Sequence, residues 1–185
     1  MKKIIYITFI LVLTSCSKKT DLTITKNRVE IGDKFGGGIV AYILTRSDVG
    51  YDANVQHGLI AATADQSKGI YWFNLEYINT GAKSGNGFIN SNLIVTKQGP
   101  TATNYAAGIA RAYTGGGFTD WYLPSINELS KLYFYKNDIG GFGTGAYWSS
   151  SEYDDFYAWY ITFYDGSQGS FYKYYSMNVR AVRAF

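Results

Sequence analysis

The sequence predicts an α+β domain, and three observations support this class. Short apolar runs come first, two segments with helical spacing of apolar residues follow, and the tail alternates between two sets of residues as a strand does. About 155 residues follow a polar N-terminal stretch, a length that suits one domain with a full core. The sequence contains no internal repeat.

Three short apolar runs predict the first strands. They lie at residues 39–44, 58–65 and 69–73, and the glycines at 36–38 mark a turn before the first run. Residues 79–100 are rich in Gly, Asn, Ser and Thr, which indicates a long loop region before the helices.

Two helices are predicted between residues 101 and 141. Glycines at 115–117 end the first helix. Its apolar face consists of Ala102, Tyr105, Ala106, Ile109 and Tyr113. In the second helix, Pro124 precedes a capping box formed by Ser125 and Glu128, and glycines at 140–141 end the helix. Its buried stripe consists of Ile126, Leu129, Leu132 and Tyr133.

The tail of the chain returns to strands. Residues 159–164 alternate in the manner of a strand with one covered face, and residues 178–185 form a final strand. Trp159, Ile161 and Phe163 are predicted to face the core, which leaves Tyr160 and Tyr164 facing outward. The other large residues predicted in the core are Trp121, Leu123, Leu129 and Trp148.

The first residues carry the features of a secretion signal. Lys2 and Lys3 precede an apolar run at residues 4–13, which is long enough for a signal peptide. A transmembrane span needs about 20 apolar residues. The sequence "LTSC" ends at Cys16, the only cysteine of the chain, and it resembles the bacterial lipobox. An ordinary signal with an incidental cysteine is the alternative.

We therefore expect three segments. Residues 1–15 are the signal peptide, residues 16–29 are the lipidated cysteine and a polar tether, and residues 30–185 are the domain. The expected location is the bacterial outer membrane or cell envelope, with the lipid as membrane anchor. Ser-Lys-Lys follows the cysteine instead of an acidic run, so display outside the cell stays open.

Charge excludes one class of partner. Loss of residues 1–15 removes two of the 17 lysines and arginines, which leaves 15 basic residues against 14 acidic ones. A non-specific nucleic-acid binder needs a concentrated basic patch, and the sequence has none, so nucleic acid is not an expected partner. A lone cysteine cannot form an internal disulfide, so packing must supply the stability.

Patterns for catalysis or metal binding are weak, and we expect no enzyme activity, no cofactor and no metal. His57 is the only histidine, so the sequence lacks the usual zinc ligand set, and no nucleophile elbow surrounds the serines at 149–151. We expect Glu152, Asp154 and Asp155 to be solvated and not paired for glycoside hydrolysis. The glycine clusters lack Gly-Lys-Ser/Thr, which indicates turns.

Tyrosine is concentrated near the C-terminus. Residues 147–185 hold 8 of the 18 tyrosines, mixed with Asp, Ser and Gly. Tyr offers a large, stiff contact with a polar tip, and Ser, Gly and Asn adapt, so this composition is typical of a paratope. The alternative is that these tyrosines are half-buried in a sheet with wet hydroxyls.

Four ordered motifs resemble the Lcl C-terminal domain family. They are "DWYLPSINELSKLY", "GGFGTGAYWSSSEY", "AWYITFYDGS" and "VRAVRAF", and the resemblance covers about residue 30 to the end. It implies a bacterial surface or secreted domain and a branch of the C-type-lectin-like superfamily. The fold implied has two helices, a mixed, mainly antiparallel twisted sheet whose N- and C-terminal strands pair, and long loops that form the binding face.

Known activities of that superfamily do not carry over to this chain. The Glu-Pro-Asn, Gln-Pro-Asp and Trp-Asn-Asp signatures of calcium-dependent lectins are absent, so calcium-mediated sugar binding is not expected. The formylglycine-generating relatives depend on cysteines that this chain lacks. Glycosaminoglycan-binding adhesins of the family trimerise, but the collagen-like stalk and a basic patch are missing here, so neither property is transferred.

The resemblance also implies where a ligand binds. In family members the stretch after "YWSSSEY" is rich in Asn, and this chain has Tyr, Asp, Phe and Ser there. Changes at the two adenines of an Asn codon yield these residues, as in variable proteins of diversity-generating retroelements. The predicted ligand-binding residues are Tyr153, Asp154, Asp155, Phe156, Tyr157, Tyr160, Tyr164, Phe171, Tyr172, Tyr174, Tyr175 and Asn178.

The sequence thus predicts a lipid-anchored, adhesin-like binding protein of the cell envelope. Its ligand is a protein or a glycan, held by the Tyr-rich C-terminal face. A structural envelope lipoprotein without a specific ligand is the second hypothesis, and a carbohydrate-active enzyme is the third.

Overall fold

The computed structural model describes residues 28–83, 85–99 and 104–185. The predicted signal peptide, Cys16 and most of the tether lie outside these residues. The described residues form nine β-strands and four α-helices, with four strands before the helices and five after them. This order confirms the α+β class. Within the same described ranges, no helix combines the length and apolar character needed to span a bilayer.

The strands fall into two groups along the chain. The first four are β1 (Lys34–Phe35), β2 (Gly38–Ile43), β3 (Gly58–Ala61) and β4 (Ser67–Ile70). The last five are β5 (Ala146–Glu152), β6 (Tyr157–Thr162), β7 (Gln168–Tyr172), β8 (Met177–Val179) and β9 (Val182–Ala184). The helices between them are α1 (Gly87–Gln98), α2 (Ala106–Ala112), α3 (Ile126–Phe134) and α4 (Lys136–Ile139).

The strands form two sheets. One has the order β1-β2-β3-β9 and is antiparallel throughout. The other has the order β4-β8-β5-β6-β7, in which only the β5–β8 pair is parallel. The sheets are therefore mixed and mainly antiparallel, as predicted. Because β9 pairs with β3, the end of the chain lies beside the first strands, and His57 Nδ1 is 3.1 Å from the carbonyl oxygen of Phe185.

Helix α3 confirms the predicted capping box. The Ser125 hydroxyl accepts from the Glu128 amide at 3.3 Å, and the Glu128 carboxylate accepts from the Ser125 amide at 2.8 Å. Leu129 and Leu132 are buried, as the stripe predicts. The short helix α4 follows, and Gly140 ends it with a φ of 74°, at the predicted glycine pair.

The predicted loop over residues 79–100 was wrong in its second half, because α1 occupies most of it. The side chain of Asn86 accepts from the Ile89 amide and caps this helix. The buried side of α1 is largely polar, so the sequence shows no apolar period there. Ser91, for example, accepts from the Leu123 amide at 3.0 Å and donates to the Leu123 carbonyl at 3.2 Å. Four helices therefore stand where two were predicted.

Two core clusters lie on the two faces of the strands. The first contains Trp72, Trp121 and Trp148 with residues of α1 and α2, and the second contains Tyr147 and Phe163 with residues of α3. Neighbouring residues of β5, Tyr147 and Trp148, enter different clusters. Both faces of this strand are therefore buried, whereas alternation in the sequence predicts a strand with only one buried face.

The orientation predicted for β6 is half right. Ile161 and Phe163 are each 1% exposed and belong to the second cluster. Trp159 was predicted in the core, but it is only partly buried and belongs to neither cluster. It lies opposite the first turn of α3, where a cleft replaces helix contact. Tyr160 was predicted to face outward, but it packs on the first cluster, where its ring is 6.5 Å from the Trp148 ring.

Candidate binding surface

Two turns lie side by side at one end of the five-stranded sheet. The β5–β6 turn covers residues 153–156, and the Asp154 carboxylate closes it by accepting from the amides of Phe156 and Tyr157, both at 2.8 Å. The β7–β8 turn covers residues 173–176. The two turns are joined because the Lys173 amide donates to the Phe156 carbonyl at 2.9 Å.

A buried ion pair holds these turns from below. The Lys173 ammonium lies 2.6 Å from the Glu152 carboxylate, and both side chains are fully buried. The same ammonium donates to the Asp155 carbonyl at 2.9 Å and lies 4.6 Å from the Trp72 ring centroid. Burial lowers the pKa of Lys173, and the hydrogen bond to Glu152 opposes that shift. We call this pair the loop clamp.

The loop clamp also fixes a third loop. Glu152 accepts from the amides of Thr80 at 2.9 Å and Gly81 at 3.0 Å, and its own amide donates to the Ala82 carbonyl at 2.8 Å. The expectation that Glu152 is solvated was therefore wrong. Its carboxylate is saturated by backbone amides and one ammonium, which is how a buried charge is tolerated.

Aromatic rings from these three loops and from the adjoining ends of β6 and β7 gather at this end of the sheet, and many of them contact one another. The rings of Tyr157 and Tyr172 are 4.3 Å apart, those of Tyr172 and Tyr174 are stacked at 5.2 Å, and Phe171 meets Tyr175 at 4.4 Å. We call this surface the aromatic face. It comprises Tyr77, Tyr153, Phe156, Tyr157, Phe171, Tyr172, Tyr174 and Tyr175.

Most of these rings are open to solvent. Six of the eight side chains are between 38% and 52% exposed, and Tyr157 and Phe171 are half-buried between them. A hydrogen bond with Tyr172 raises the pKa of Tyr157 to about 12, and the pKa of Tyr174 is also raised, mainly by desolvation. Both hydroxyls therefore stay neutral at physiological pH, so the aromatic face offers rings with neutral polar tips.

Tyr77 is the member of the aromatic face that the sequence did not predict. It lies between β4 and α1, outside the Tyr-rich tail, and no local pattern marks it. Its ring is 5.1 Å from Phe156 and 4.7 Å from the buried Phe73. Only the tertiary fold, through the Thr80 and Gly81 contacts to Glu152, brings this loop beside the tail.

Seven predicted aromatic site residues meet on this face, but three other predicted site residues do not lie there. Tyr160 packs inward, as described above. Tyr164 is 76% exposed but lies in the β6–β7 turn, at the opposite end of the hairpin. Asn178 lies in β8 with its side chain against Gly145. Asp154 and Asp155 lie in the β5–β6 turn. The Asp154 carboxylate accepts from the Tyr157 amide, and the Asp155 carbonyl accepts from the Lys173 ammonium.

Metal ligation finds no support at this surface. Among the residues that the structure describes, no group of three or more His, Cys, Asp or Glu side chains is placed to hold a metal ion. The serines at 149–151 are strand residues in β5. The Ser149 hydroxyl donates to the Trp159 carbonyl at 2.8 Å, and the Ser151 hydroxyl accepts from the Ile126 amide at 3.0 Å.

Fold and surface together define a class: an α+β domain that presents aromatic side chains on loops held by its sheet. Within this class the chain belongs to the Lcl C-terminal domain family, whose model matches residues 61–183. The matched segment includes the whole aromatic face and the loop clamp. It leaves β1 and β2 outside.

One solved structure adds a likeness of fold. A fimbrial protein from Bacteroides ovatus ATCC 8483, solved at 1.85 Å resolution, superposes with a TM-score of 0.50 and 16% sequence identity. The match covers 78% of this chain and 43% of that chain, so this chain spans less than half of the relative's length. No curated protein matches the sequence significantly.

Proposed function

We propose that this protein is an adhesin-like binding protein of the bacterial cell envelope and that the aromatic face holds its ligand, a protein or a glycan. The observation that carries this proposal is a set of exposed rings gathered at one end of the sheet, above a fully buried ion pair. Exposed aromatic surface is unfavourable in water and favours aggregation, so contiguous patches of it usually mark interaction sites.

The way the rings are mounted suits binding. Tyr supplies contact area at a low cost in conformational entropy, and binding hot spots are enriched in it. The backbone beneath the rings is fixed by the loop clamp and by the hydrogen bond between the turns. A preorganised surface loses less entropy on binding than a mobile one, and this increases affinity.

Binding is favoured over catalysis by the use of the carboxylates at this end. Glu152 is consumed by Lys173 and two backbone amides, and Asp154 closes a turn. Neither has the free pairing that acid–base hydrolysis requires. We therefore propose no glycoside hydrolysis at this surface. We also propose that the chain has no other enzyme activity and uses no cofactor, metal or nucleic-acid partner, because its sequence lacks the motifs for them.

Family and fold support the envelope location. The Lcl C-terminal domain match and the fold shared with a fimbrial protein fit a surface protein. We propose that the fold belongs to the C-type-lectin-like superfamily, and the presence of the first and last strands in one sheet supports this proposal. Anchoring by a lipid on Cys16 rests on the lipobox-like sequence alone.

Array screening tests the binding proposal. The chain from residue 17 onward is applied to protein and glycan arrays, and each hit is compared with the triple variant Tyr157→Ala, Tyr172→Ala, Tyr174→Ala. Hot-spot losses of about 2 kcal/mol each would abolish binding while the melting temperature changes little. Tyr164→Ala, at a more exposed tyrosine outside the aromatic face, is the control. A folded triple variant that still binds as wild type would refute the proposal, and an unfolded one would show that the rings are core.

Lipid anchoring has its own test. Globomycin should cause the precursor to accumulate, and Cys16→Ala should move the protein out of the membrane fraction. If the Cys16→Ala protein still fractionates with membranes as wild type does, the anchor is not a lipid on that residue.

Diversification of the face by a retroelement is tested on the genome. A near-copy of the coding stretch for residues 153–178 should lie close to a reverse-transcriptase gene, and it should differ almost only at adenines. Absence of such a copy removes this idea and leaves the binding proposal unchanged.

A further inference from the structure

The four tryptophans of the chain differ in one respect. Trp72, Trp121 and Trp148 are fully buried, and their indole N–H groups donate to the carbonyls of Ser149, Gly115 and Ile70 at 2.8 to 3.0 Å. Trp159 is only partly buried. Among the described residues its indole N–H has no acceptor, and the only buried side-chain N or O atom without a partner there is the Ser150 hydroxyl. The Trp159 N–H is therefore open to solvent and can donate to a ligand.

Trp159 lines a cleft of about 330 Å³ beside the first turn of α3. The Tyr153 ring stands at 71° to the indole with a centroid distance of 5.5 Å, so the two rings form an aromatic corner. The remaining lining residues are Lys83, Gly85, Ile126, Asn127, Ser151 and Glu152.

The polar groups of this cleft are open to a ligand. Lys83 and Asn127 are exposed, and within the described part of the chain neither side chain forms a hydrogen bond or ion pair. Ser151 uses its oxygen as an acceptor from the Ile126 amide, which leaves its hydroxyl proton to donate. Glu152 brings no free charge, because the Lys173 ammonium lies 2.6 Å from it.

We infer that this cleft binds one neutral pyranose ring of a glycan. A pyranose has an apolar C–H face, whose partly positive hydrogens suit the negative face of an indole, and a rim of hydroxyls. Those hydroxyls match the Trp159 N–H, the Asn127 amide and the Lys83 ammonium. Lys83 is the one unpaired cation among the described residues that line the cleft, and a sulfated chain needs several cations. The inference rests on the proposed function and narrows its ligand to a glycan.

The cleft and the aromatic face are continuous through Tyr153. Its ring is 5.5 Å from Trp159 on one side and 6.4 Å from Tyr157 on the other. A glycan whose terminal ring occupies the cleft therefore extends across the aromatic face, where further sugar rings meet further tyrosines.

Indole signals in ¹H–¹⁵N spectra test this inference. Four such signals are expected, and Trp159→Phe identifies the one that belongs to Trp159. The chain from residue 17 onward is titrated with lactose, maltotriose, mannotriose and chitotriose, and with a heparin hexasaccharide as the charged comparator. At least one neutral sugar should shift the Trp159 signal saturably while the other three stay in place.

Variants extend the test beyond the spectra. Trp159→Ala should weaken binding of that sugar at least tenfold, and Trp159→Phe should weaken it less because the aromatic ring remains. Lys83→Ala and Asn127→Ala, both at exposed positions, should weaken it severalfold and keep the domain folded even if Trp159→Ala does not.

Two outcomes would overturn the inference. One is that no neutral sugar of the panel shifts the Trp159 signal at about 10 mM, a concentration that detects millimolar affinity. The other is that only the heparin fragment shifts it. Either result leaves the proposed function in place if the triple tyrosine variant no longer binds the ligand found on the array. Conversely, survival of array binding in that variant would refute the proposed function without touching the Trp159 result.

Discussion

The two ends of the β6–β7 hairpin are both aromatic, but only one is covered. At the turn end, Phe163 is 1% exposed, and its ring is 4.3 Å from Tyr147 and 5.6 Å from Tyr133 of α3. At the open end, the rings of Tyr157 and Tyr172 are also 4.3 Å apart, yet Tyr172 is 38% exposed. Ring contact is therefore not a sign of burial, and the covering helix makes the difference.

The two ends also differ in what holds the backbone. At the turn end Gly166 has a φ of 81°, and a side chain there would collide with the Tyr133 ring, so packing itself fixes the turn. At the open end the exposed rings cannot fix the loops, and the loop clamp does so from below. The open end can therefore change its surface side chains without losing its support.

The largest expected effect comes from removing the ion pair that supports the open end. Lys173→Met leaves the Glu152 carboxylate buried without its cation, which should lower the free energy of unfolding by about 3–5 kcal/mol. Urea denaturation measures this loss. The double variant Lys173→Met, Glu152→Gln should recover part of it, because no buried charge then stays unpaired. A loss under about 1 kcal/mol in the single variant would mean that the clamp is dispensable.

A second pair of substitutions compares two positions on one face of the hairpin, Trp159 in β6 and Phe163 just after this strand. Phe163→Ala should cost about 3–5 kcal/mol, because it empties a site in the second core cluster. Trp159→Ala should cost only about 1 kcal/mol, because Trp159 belongs to neither cluster. If thermal and urea unfolding show the same loss of stability for Trp159→Ala as for Phe163→Ala, Trp159 is a core residue.

Alkaline titration separates the two causes of a raised pKa. Burial raises the pKa of Tyr147 to about 12, and a hydrogen bond with Tyr172 raises the pKa of Tyr157 to about 12, both from 10.0. The unfolded chain ionises first, so Tyr147 should lower stability by about 1.4 kcal/mol per pH unit as the pH rises from 10 to 12.

Tyrosinate absorbance provides the comparison between the two ends. Tyr172→Phe should return the Tyr157 titration toward its ordinary range and leave that of Tyr147 unchanged. If both titrations move together in this variant, the two ends are coupled and do not titrate by separate causes.

The smallest effect is expected at Tyr164. Its ring is 76% exposed at the turn end and lies outside the aromatic face, so Tyr164→Ala should change stability by less than about 0.5 kcal/mol. Ligand binding should also be unchanged. A clear loss of binding in this variant would extend the binding surface to the whole length of the hairpin.

Local signals in the sequence predicted local structure. The Ser125–Glu128 capping box and the stripe through Leu129 identified α3, because helix caps and helical periodicity depend on neighbouring residues only. Helix α1 was missed for the same reason. Apart from Ile94, its buried side chains are polar or absent, as Ser91 shows, and a polar stretch with glycine is typical of a loop.

Most aromatic residues of the candidate site could be predicted from the sequence, but the ion pair beneath them and Tyr77 could not. Seven aromatic residues of the tail were identified by their local enrichment together with the family resemblance. The ion pair joins residues 21 positions apart, and Tyr77 enters from a distant loop, so no pattern in the tail announces either. Trp159 was wrongly predicted in the core, because alternation shows only which face of a strand a residue lies on. It does not show where the helix that covers this face ends.

The loop clamp has a consequence for how easily proteases cut the exposed turns. Tyrosine and phenylalanine are the residues after which chymotrypsin-like proteases cut, and the aromatic face presents many of them on exposed turns. A protease must first draw such a turn into an extended strand, which requires local opening of the structure. Opening here means separating Lys173 from Glu152 and from the Asp155 carbonyl in a dry environment. We therefore expect the buried pair to slow proteolysis of the exposed turns.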